Sequence, residues 1–287
     1  MKKTLLTAAA AFIALAAVSG CSSEETPSAN AGILDATAAV ESFTGVTEIN
    51  MTASSDGNKI SMGTTGNISL KAEPFFADID VNITANDSVN APVETNTRLI
   101  LEQKDETNTV YLLDENGEWL KEVIDTKDFR VAASQYDVME NGSTFMSSAS
   151  NMQVTGTETV NGRQVSVYEG TIPRAILSDV LEITGSTALV GTNIGPAYYE
   201  ECEDLPVKIW VDEADVIVGY EVDLTDTVQS LFNKLYEEND ITDPSMVIQI
   251  ESYTAGGTVD DYNCDIDTSL PQEALSAQEV NSEGETK

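Results

Sequence analysis

The chain predicts an α+β fold, an antiparallel sheet of about ten strands with amphipathic helices covering one face. Three observations predict it. Apolar and polar residues alternate over many short stretches, as in Ala77, Ile79, Val81 and Ile83 against Asp78, Asp80, Asn82 and Thr84. That is the period of a half-buried strand. Asx-Gly pairs separate neighbouring stretches at Asp56-Gly57, Asn116-Gly117 and Asn161-Gly162. They are the chemistry of tight hairpins, and hence of antiparallel pairing. Between hairpins, a few stretches carry apolar residues at helical spacing and are the available cover.

Before the domain comes an address. Lys2 and Lys3 precede an apolar run from Thr4 to Val18, and Val18-Ser19-Gly20 leads into Cys21. The run falls short of the about 20 apolar residues that span a bilayer, and it fits the apolar region of a secretory signal. Small residues directly before a cysteine match the lipobox of bacterial lipoprotein precursors. That match implies cleavage before Cys21, a diacylglyceryl thioether on its sulfur and an acylated (palmitate-type) N-terminus. Two or more acyl chains hold a protein to a membrane stably where one does not. Residues 22–32 are serine, glutamate, threonine, proline, asparagine, alanine and glycine, a flexible tether by composition. The expected location is the extracytoplasmic face of the cell membrane.

In order, Ile33–Phe43 is expected to be a helix with Ile33, Ala36, Val40 and Phe43 on one face, ended by Gly45. Val46–Ser55 and Lys59–Leu70 read as a hairpin, followed by strands over Phe76–Thr84 and Thr95–Lys104. Thr109–Leu113 and Glu118–Ile124 pair across Glu115-Asn116-Gly117. Phe129, Ala132, Ala133, Tyr136 and Met139 make a helical stripe over Asp128–Met139, and polar Asn141–Ser150 reads as a loop. Gln153–Val160 and Arg163–Thr171 form the next hairpin, and Pro173 suits the start of a helix carrying Ile176, Leu177, Val180 and Leu181. Thr184–Pro196 has no regular period. Val207–Asp212 and Val216–Leu224 pair across Asp212-Glu213-Ala214-Asp215, and a helix capped at Thr225 or Asp226 carries Val228, Leu231, Phe232 and Leu235. Met246–Ile250 and Tyr262–Ile266 are the last two expected strands. The domains are therefore 1–20, a lipoprotein signal; 21–32, a tether; 33–274, a single domain; and 275–287, a disordered acidic tail.

Composition narrows the chemistry. The 287 residues hold 49 Asp+Glu against 14 Lys+Arg, a formal charge of −35, and loss of Lys2 and Lys3 with the signal makes it −37. Such a chain repels nucleic acid phosphates and anionic headgroups, so no nucleic acid partner is expected. There is no histidine, which removes Ser-His-Asp and Cys-His catalysis and most zinc centres. No cofactor, no metal and no catalytic residue is expected, and the protein reads as a non-enzyme. Cys202 and Cys264 are the only cysteines besides Cys21. Outside the cytoplasm such a pair is expected as a disulfide, two free buried thiols being the alternative.

Other motifs dissolve into ordinary roles. Asp212-Glu213-Ala214-Asp215 spells a helicase-like tetrapeptide, but no phosphate-cradling Gly-rich loop precedes it and a turn is needed there. Asp78/Asp80 and Asp265/Asp267 each place two carboxylates on one strand face. Calcium ligation or two-carboxylate hydrolysis would need more converging groups, and the solvated face of an acidic sheet accounts for them. Aromatic and methionine side chains are the material for an apolar cavity, and Met62, Trp119, Tyr168, Trp210 and Tyr220 are the candidate lining residues. Trp210 alternates with Val207, Ile209 and Val211, which sets it on the opposite strand face.

Read together, several stretches resemble the LolA/LppX-type bacterial lipoprotein superfamily, closest to its Gram-positive members. They are the helix after the tether, the Asn116-Gly117-Glu118-Trp119-Leu120-Lys121 hairpin with Tyr111 on its first strand, and Gly156-Thr157-Glu158-Thr159-Val160-Asn161-Gly162-Arg163-Gln164-Val165. Lys208-Ile209-Trp210-Val211-Asp212 with Val218-Gly219-Tyr220-Glu221, and Asp261-Tyr262-Asn263 before Leu270-Pro271, complete the set. The resemblance spans roughly Ile33 to Ala274. It implies a strongly curved sheet, a half-barrel or unfinished barrel with helices on its concave side, and a lipid or other apolar ligand held there. The alternative is a cell-surface interaction or sensor protein on the same sheet without a ligand cavity.

Overall fold

A computed structural model describes residues 30–87, 90–114, 116–186, 196–241, 243 and 246–280. The signal segment, Cys21 and nearly all of the tether lie outside these residues. In chain order the elements are α1 (Ala31–Ala38), β1 (Ser42–Ser55), β2 (Asn58–Lys71), β3 (Phe76–Asp87), β4 (Val93–Lys104), β5 (Thr107–Leu113) and β6 (Trp119–Ile124). Then come α2 (Thr126–Ser134), α3 (Val138–Ser148), β7 (Ser150–Val160), β8 (Arg163–Ile172), α4 (Leu177–Ile183), β9 (Leu205–Asp212) and β10 (Ile217–Asp223). The chain closes with α5 (Thr225–Glu238), β11 (Gln249–Tyr262), α6 (Gln272–Leu275) and β12 (Gln278–Glu279). The strands form one twelve-stranded sheet ordered β12-β6-β5-β4-β3-β2-β1-β11-β10-β9-β8-β7, open at both ends. It is the expected α+β half-barrel, antiparallel except where β12 joins β6 in parallel.

The hairpins arise where their turns demand it. Asn161 and Gly162 take φ of 49° and 79°, and Asp56 and Gly57 take 49° and 78°, the left-handed pair of a type I′ turn. Asp105 and Glu106 do the same, at 48° and 66°, without a glycine to announce it. The Asp114 carboxylate closes the β5–β6 turn by accepting main-chain N–H bonds from Asn116 and Glu118 at 2.9 and 2.8 Å.

Strand alternation sorts the sheet into two faces. Met51, Ala53, Ile68, Leu70, Ala77, Ile79, Leu101, Val207, Ile209, Val222, Tyr253 and Ala255 are buried on the helix-covered face. With helix residues such as Val138, Phe145, Leu177, Leu181 and Leu231 they make the main core. A second, smaller core lies on the outer face: Phe76, Ile100, Tyr111 and Ala274, with Trp119, Ile266 and Leu270 packed on it.

Several expectations are corrected. The first helix stops at Ala38, and Phe43 and Gly45 belong to β1. Gly45 faces β11 so closely that a Cβ would sit 2.4 Å from the Thr258 carbonyl oxygen. Asn141–Ser148 is helix α3, separated from α2 by a break at residues 135–137 and started by the Asp137 carboxylate, which accepts the Glu140 N–H at 2.9 Å. Its poor helix formers serve packing. A Cβ on Gly142 would meet Ile217 Cγ2 at 2.6 Å, and Asn141 Nδ2 donates to the Ser134 carbonyl at 2.8 Å. The two expected last strands, Met246–Ile250 and Tyr262–Ile266, only touch the two ends of a single strand, β11 (Gln249–Tyr262). Met246–Ile248 and Asn263–Ile266 lie outside it, and the strand runs instead through Gly256-Gly257, where Cβ atoms would strike the Tyr220 carbonyl oxygen at 2.6 Å and Val138 at 2.7 Å. The segment 275–280, expected as the start of a disordered tail, is ordered: Gln278 and Glu279 pair with Leu120 and Lys121.

The expected disulfide is absent. Cys202 and Cys264 are free, the first buried and the second half-buried. The reason is topological. Cys202 precedes the start of β9, where Val207 lies level with Val222 and, across β10, with Ala255. Cys264 follows Tyr262, at the other end of β11. About 23 Å of strand separates Ala255 from Tyr262 at the usual rise, whereas bridged Cα atoms lie within about 7 Å.

Candidate functional site

On the helix-covered face a recess of about 290 Å³ opens between the β1–β5 side of the sheet and the α2–α3 junction. Its walls are Ile49, Val81, Ile83, Leu99 and Leu112 from successive strands, with Ala255 and the Tyr220 ring toward β10 and β11. Alternation brings these side chains together. Ile49 lies opposite Thr64, Thr64 opposite Ile83, Val81 opposite Thr97, and Leu99 opposite Leu112. Gln135, Tyr136, Thr184 and Gly185 line the remaining side. The recess exists because Gly66 and Thr64 stand on β2 where larger residues would fill it. Tyr136 leans over Gly66, whose Cβ would lie 3.6 Å from the Tyr136 ring and 2.8 Å from Thr47 Oγ1.

Polar groups around it are neutral or tied down. The Tyr220 hydroxyl accepts from Asn141 Nδ2 at 3.4 Å, and burial pushes its pKa up to about 12. Burial alone raises the Tyr136 hydroxyl. Thr97 Oγ1 donates to the Leu113 carbonyl and Thr184 Oγ1 to the Val180 carbonyl. Behind Thr184, the Tyr253 hydroxyl donates to Ser186 Oγ at 3.0 Å. Burial also pushes the Asp137 carboxyl at the α3 N-terminus up to about 6.

Of the five lining candidates only Tyr220 reaches the recess. Met62 shares the face, 40% exposed, but lies further up β2 opposite Ala85. Tyr168 pairs with Ile209 on β8, two strands beyond β10. Trp119 belongs to the outer core. Trp210 is on the outer face, as its alternation required, where its Nε1 donates to Glu158 at 2.9 Å and Lys208 lies over its ring. Aromatic content pointed to these residues, but only register decides which face a strand side chain takes. The residues missed are aliphatic and threonine side chains, together with Gln135, Tyr136 and Gly185 at the helix side; in sequence Tyr136 reads only as part of a helical stripe.

The paired carboxylates behave as surface groups. Arg98 grips Asp78 through two bonds, Nε to Oδ1 at 2.8 Å and Nη2 to Oδ2 at 2.6 Å, and lies 3.9 Å from Asp80. Asp265 and Asp267 are exposed. Among the described residues no cluster of three or more acidic, cysteine or histidine side chains converges as a metal would require. A polar depression of about 450 Å³ beside Ser42, Lys71 and Cys264 is laced by its own bonds, including Ser42 Oγ to the Cys264 carbonyl at 2.6 Å and the Glu41 N–H to Asn263 Oδ1 at 2.9 Å. No described helix is long and apolar enough to cross a membrane.

The sheet is open, helices cover one of its faces, and the recess between them is lined by apolar and neutral polar side chains. Among solved structures the chain is similar to lipoprotein LppX from Mycobacterium tuberculosis, at 17% identity and a TM-score of 0.42, covering 83% of this chain and 94% of that one. It is also similar to LprF from Mycobacterium bovis, at 12% identity and a TM-score of 0.46, over 84% and 94% of the two chains. No family profile matches the chain. No curated protein matches it either.

Proposed function

We propose that this is a lipoprotein, anchored through Cys21 on the outer side of the cell membrane, that holds a lipid or other apolar ligand in the recess without acting on it chemically. The observation that carries this reading is the recess itself. A folded core normally fills such space, yet here aliphatic walls from β1, β3, β4 and β5 surround about 290 Å³. That volume lies just under the usual range for ligand pockets, about 300–1,000 Å³, and suits one acyl chain rather than several. The lipobox supports the anchor, and the start of α1 at Ala31 leaves a short tether between Cys21 and the domain. Native mass spectrometry of the full chain extracted from its membrane tests the reading. One lipid-sized adduct per chain is expected, and a protein that carries no apolar molecule and takes none up on incubation with lipid overturns it.

A further inference from the structure

The recess carries no charge of its own. Of its lining residues only Glu48 carries a carboxylate, and strand alternation against Thr47 and Ile49 turns it to the outer face, while burial keeps the Tyr136 and Tyr220 phenols protonated. No lysine or arginine lines it. An ionised head brought inside would lose hydration with nothing to offset the loss, at a large cost in free energy. The polar groups that do face it are neutral. Thr97 and Thr184 commit their hydroxyl protons to main-chain carbonyls. Gln135 and Tyr136, side by side at the α2–α3 junction, do not: among the described residues no hydrogen bond engages the Gln135 amide or the Tyr136 hydroxyl. Both line the recess. The amide offers two donors and an acceptor, and the phenol one of each. Thr47 and Thr64 add neutral hydroxyls on the strand side.

Resting on the reading that the recess holds an apolar ligand, we infer that this ligand is an uncharged amphiphile. Its neutral hydroxyl, ester or amide head is met by Gln135 and Tyr136, while ionised heads are rejected. The two residues are specificity determinants. They satisfy a head that carries both donors and acceptors, and the strand side chains hold the chain below it.

The test uses the full chain in nanodiscs of zwitterionic lipid and two photoactivatable probes of equal chain length. One is a monoacylglycerol; the other is an alkyl sulfonate, which stays ionised. Peptide mapping locates the label. The monoacylglycerol is expected to label strands β1–β5 at least about tenfold more than the sulfonate, the scale of one or two hydrogen bonds plus the charge penalty. Gln135→Ala and Tyr136→Phe are each expected to lower that ratio about threefold or more at unchanged thermal stability. Equal or greater labelling by the sulfonate overturns the inference, and so does a ratio that both variants leave intact. Labelling of the recess by neither probe overturns the binding function itself. If a variant fails to fold, the ratio in the parent chain still decides whether charge is rejected.

Discussion

The main-chain N–H of Ile217 donates to Oγ1 of Thr37 at 3.0 Å, inside the core and across 180 residues of sequence. The same hydroxyl donates to the Ile33 carbonyl at 2.8 Å. This one side chain therefore fastens α1, the helix next to the tether, to the start of β10, where a register shift near Ile217 frees the main chain to take it as partner. Thr37→Val keeps the shape and strands a buried N–H. A loss of about 1–3 kcal/mol is expected in urea unfolding, with Thr37→Ser near the parent. Equal stability of the valine and serine variants would show that the bond is not a fastening.

Gly142 makes a second, steric link to Ile217. In an exposed helix, glycine to alanine gains about 1 kcal/mol. Here the added Cβ would lie 2.6 Å from Cγ2 of a fully buried side chain, and overpacking costs about 1–3 kcal/mol. Gly142→Ala is expected to destabilise the protein, and to cost less when combined with Ile217→Ala than alone. A plain gain in stability on Gly142→Ala contradicts the packing described.

Asp137 gives stability a pH dependence. Burial raises its carboxyl in the folded protein to about 6, from 3.8, although the Glu140 N–H that it caps pulls the other way. The folded state then holds a proton that the unfolded state has lost. The contribution of Asp137 is most favourable below pH about 4 and is lost as pH rises through about 6. Glu140, also raised by burial, acts in the same direction. Asp137→Asn keeps an N-cap acceptor and removes the titration. It is expected to stabilise the protein at pH 7.5, with the gain shrinking toward pH 4.5. A gain of equal size at both pH values counts against a buried carboxylate.

The thiols of Cys202 and Cys264 are free, so reductant is expected to leave the melting temperature unchanged, and a thiol reagent to count two sulfhydryls in the denatured mature chain. A quantitative absence of thiols, with a melting temperature that falls on reduction, would restore the disulfide.

Asp78→Asn removes the two-point grip of Arg98 on the outer face. Partly exposed pairs of this kind contribute at most about 1 kcal/mol. A loss of that size is expected, with lipid uptake unaffected; loss of uptake would move the function to the carboxylate face.

The fold was legible where sequence pattern and local physics agree. The clean alternation of Phe76–Thr84 and the Asn161-Gly162 turn both read directly. It was illegible where tertiary contact overrides propensity. Asn141-Gly142-Ser143-Thr144 looks like a loop, but is helical because Gly142 admits Ile217. Gly256-Gly257 falls in a stretch where the sequence predicts no strand, but is mid-strand because no side chain fits against the Tyr220 carbonyl and Val138. Asp105-Glu106 forms a left-handed turn with no glycine to mark it. The site was less legible than the fold. Its walls are Ile49, Val81, Leu99 and Leu112, indistinguishable in sequence from core residues. What makes a recess of them is the register of five strands and the small residues on β2, whereas Trp119 and Trp210, the conspicuous choices, sit on the other face.

Thr64 provides the most direct test of the binding claim. It lines the recess, is half-buried and lies between Ile49 and Ile83. Thr64→Phe places a ring in the space assigned to the ligand, at a strand position that suits an aromatic residue. Native mass spectrometry of the parent and variant chains, extracted identically, is expected to show one lipid adduct on the parent and none on the variant, at equal melting temperature. Equal lipid occupancy in the two proteins would contradict the claim that the recess holds the ligand.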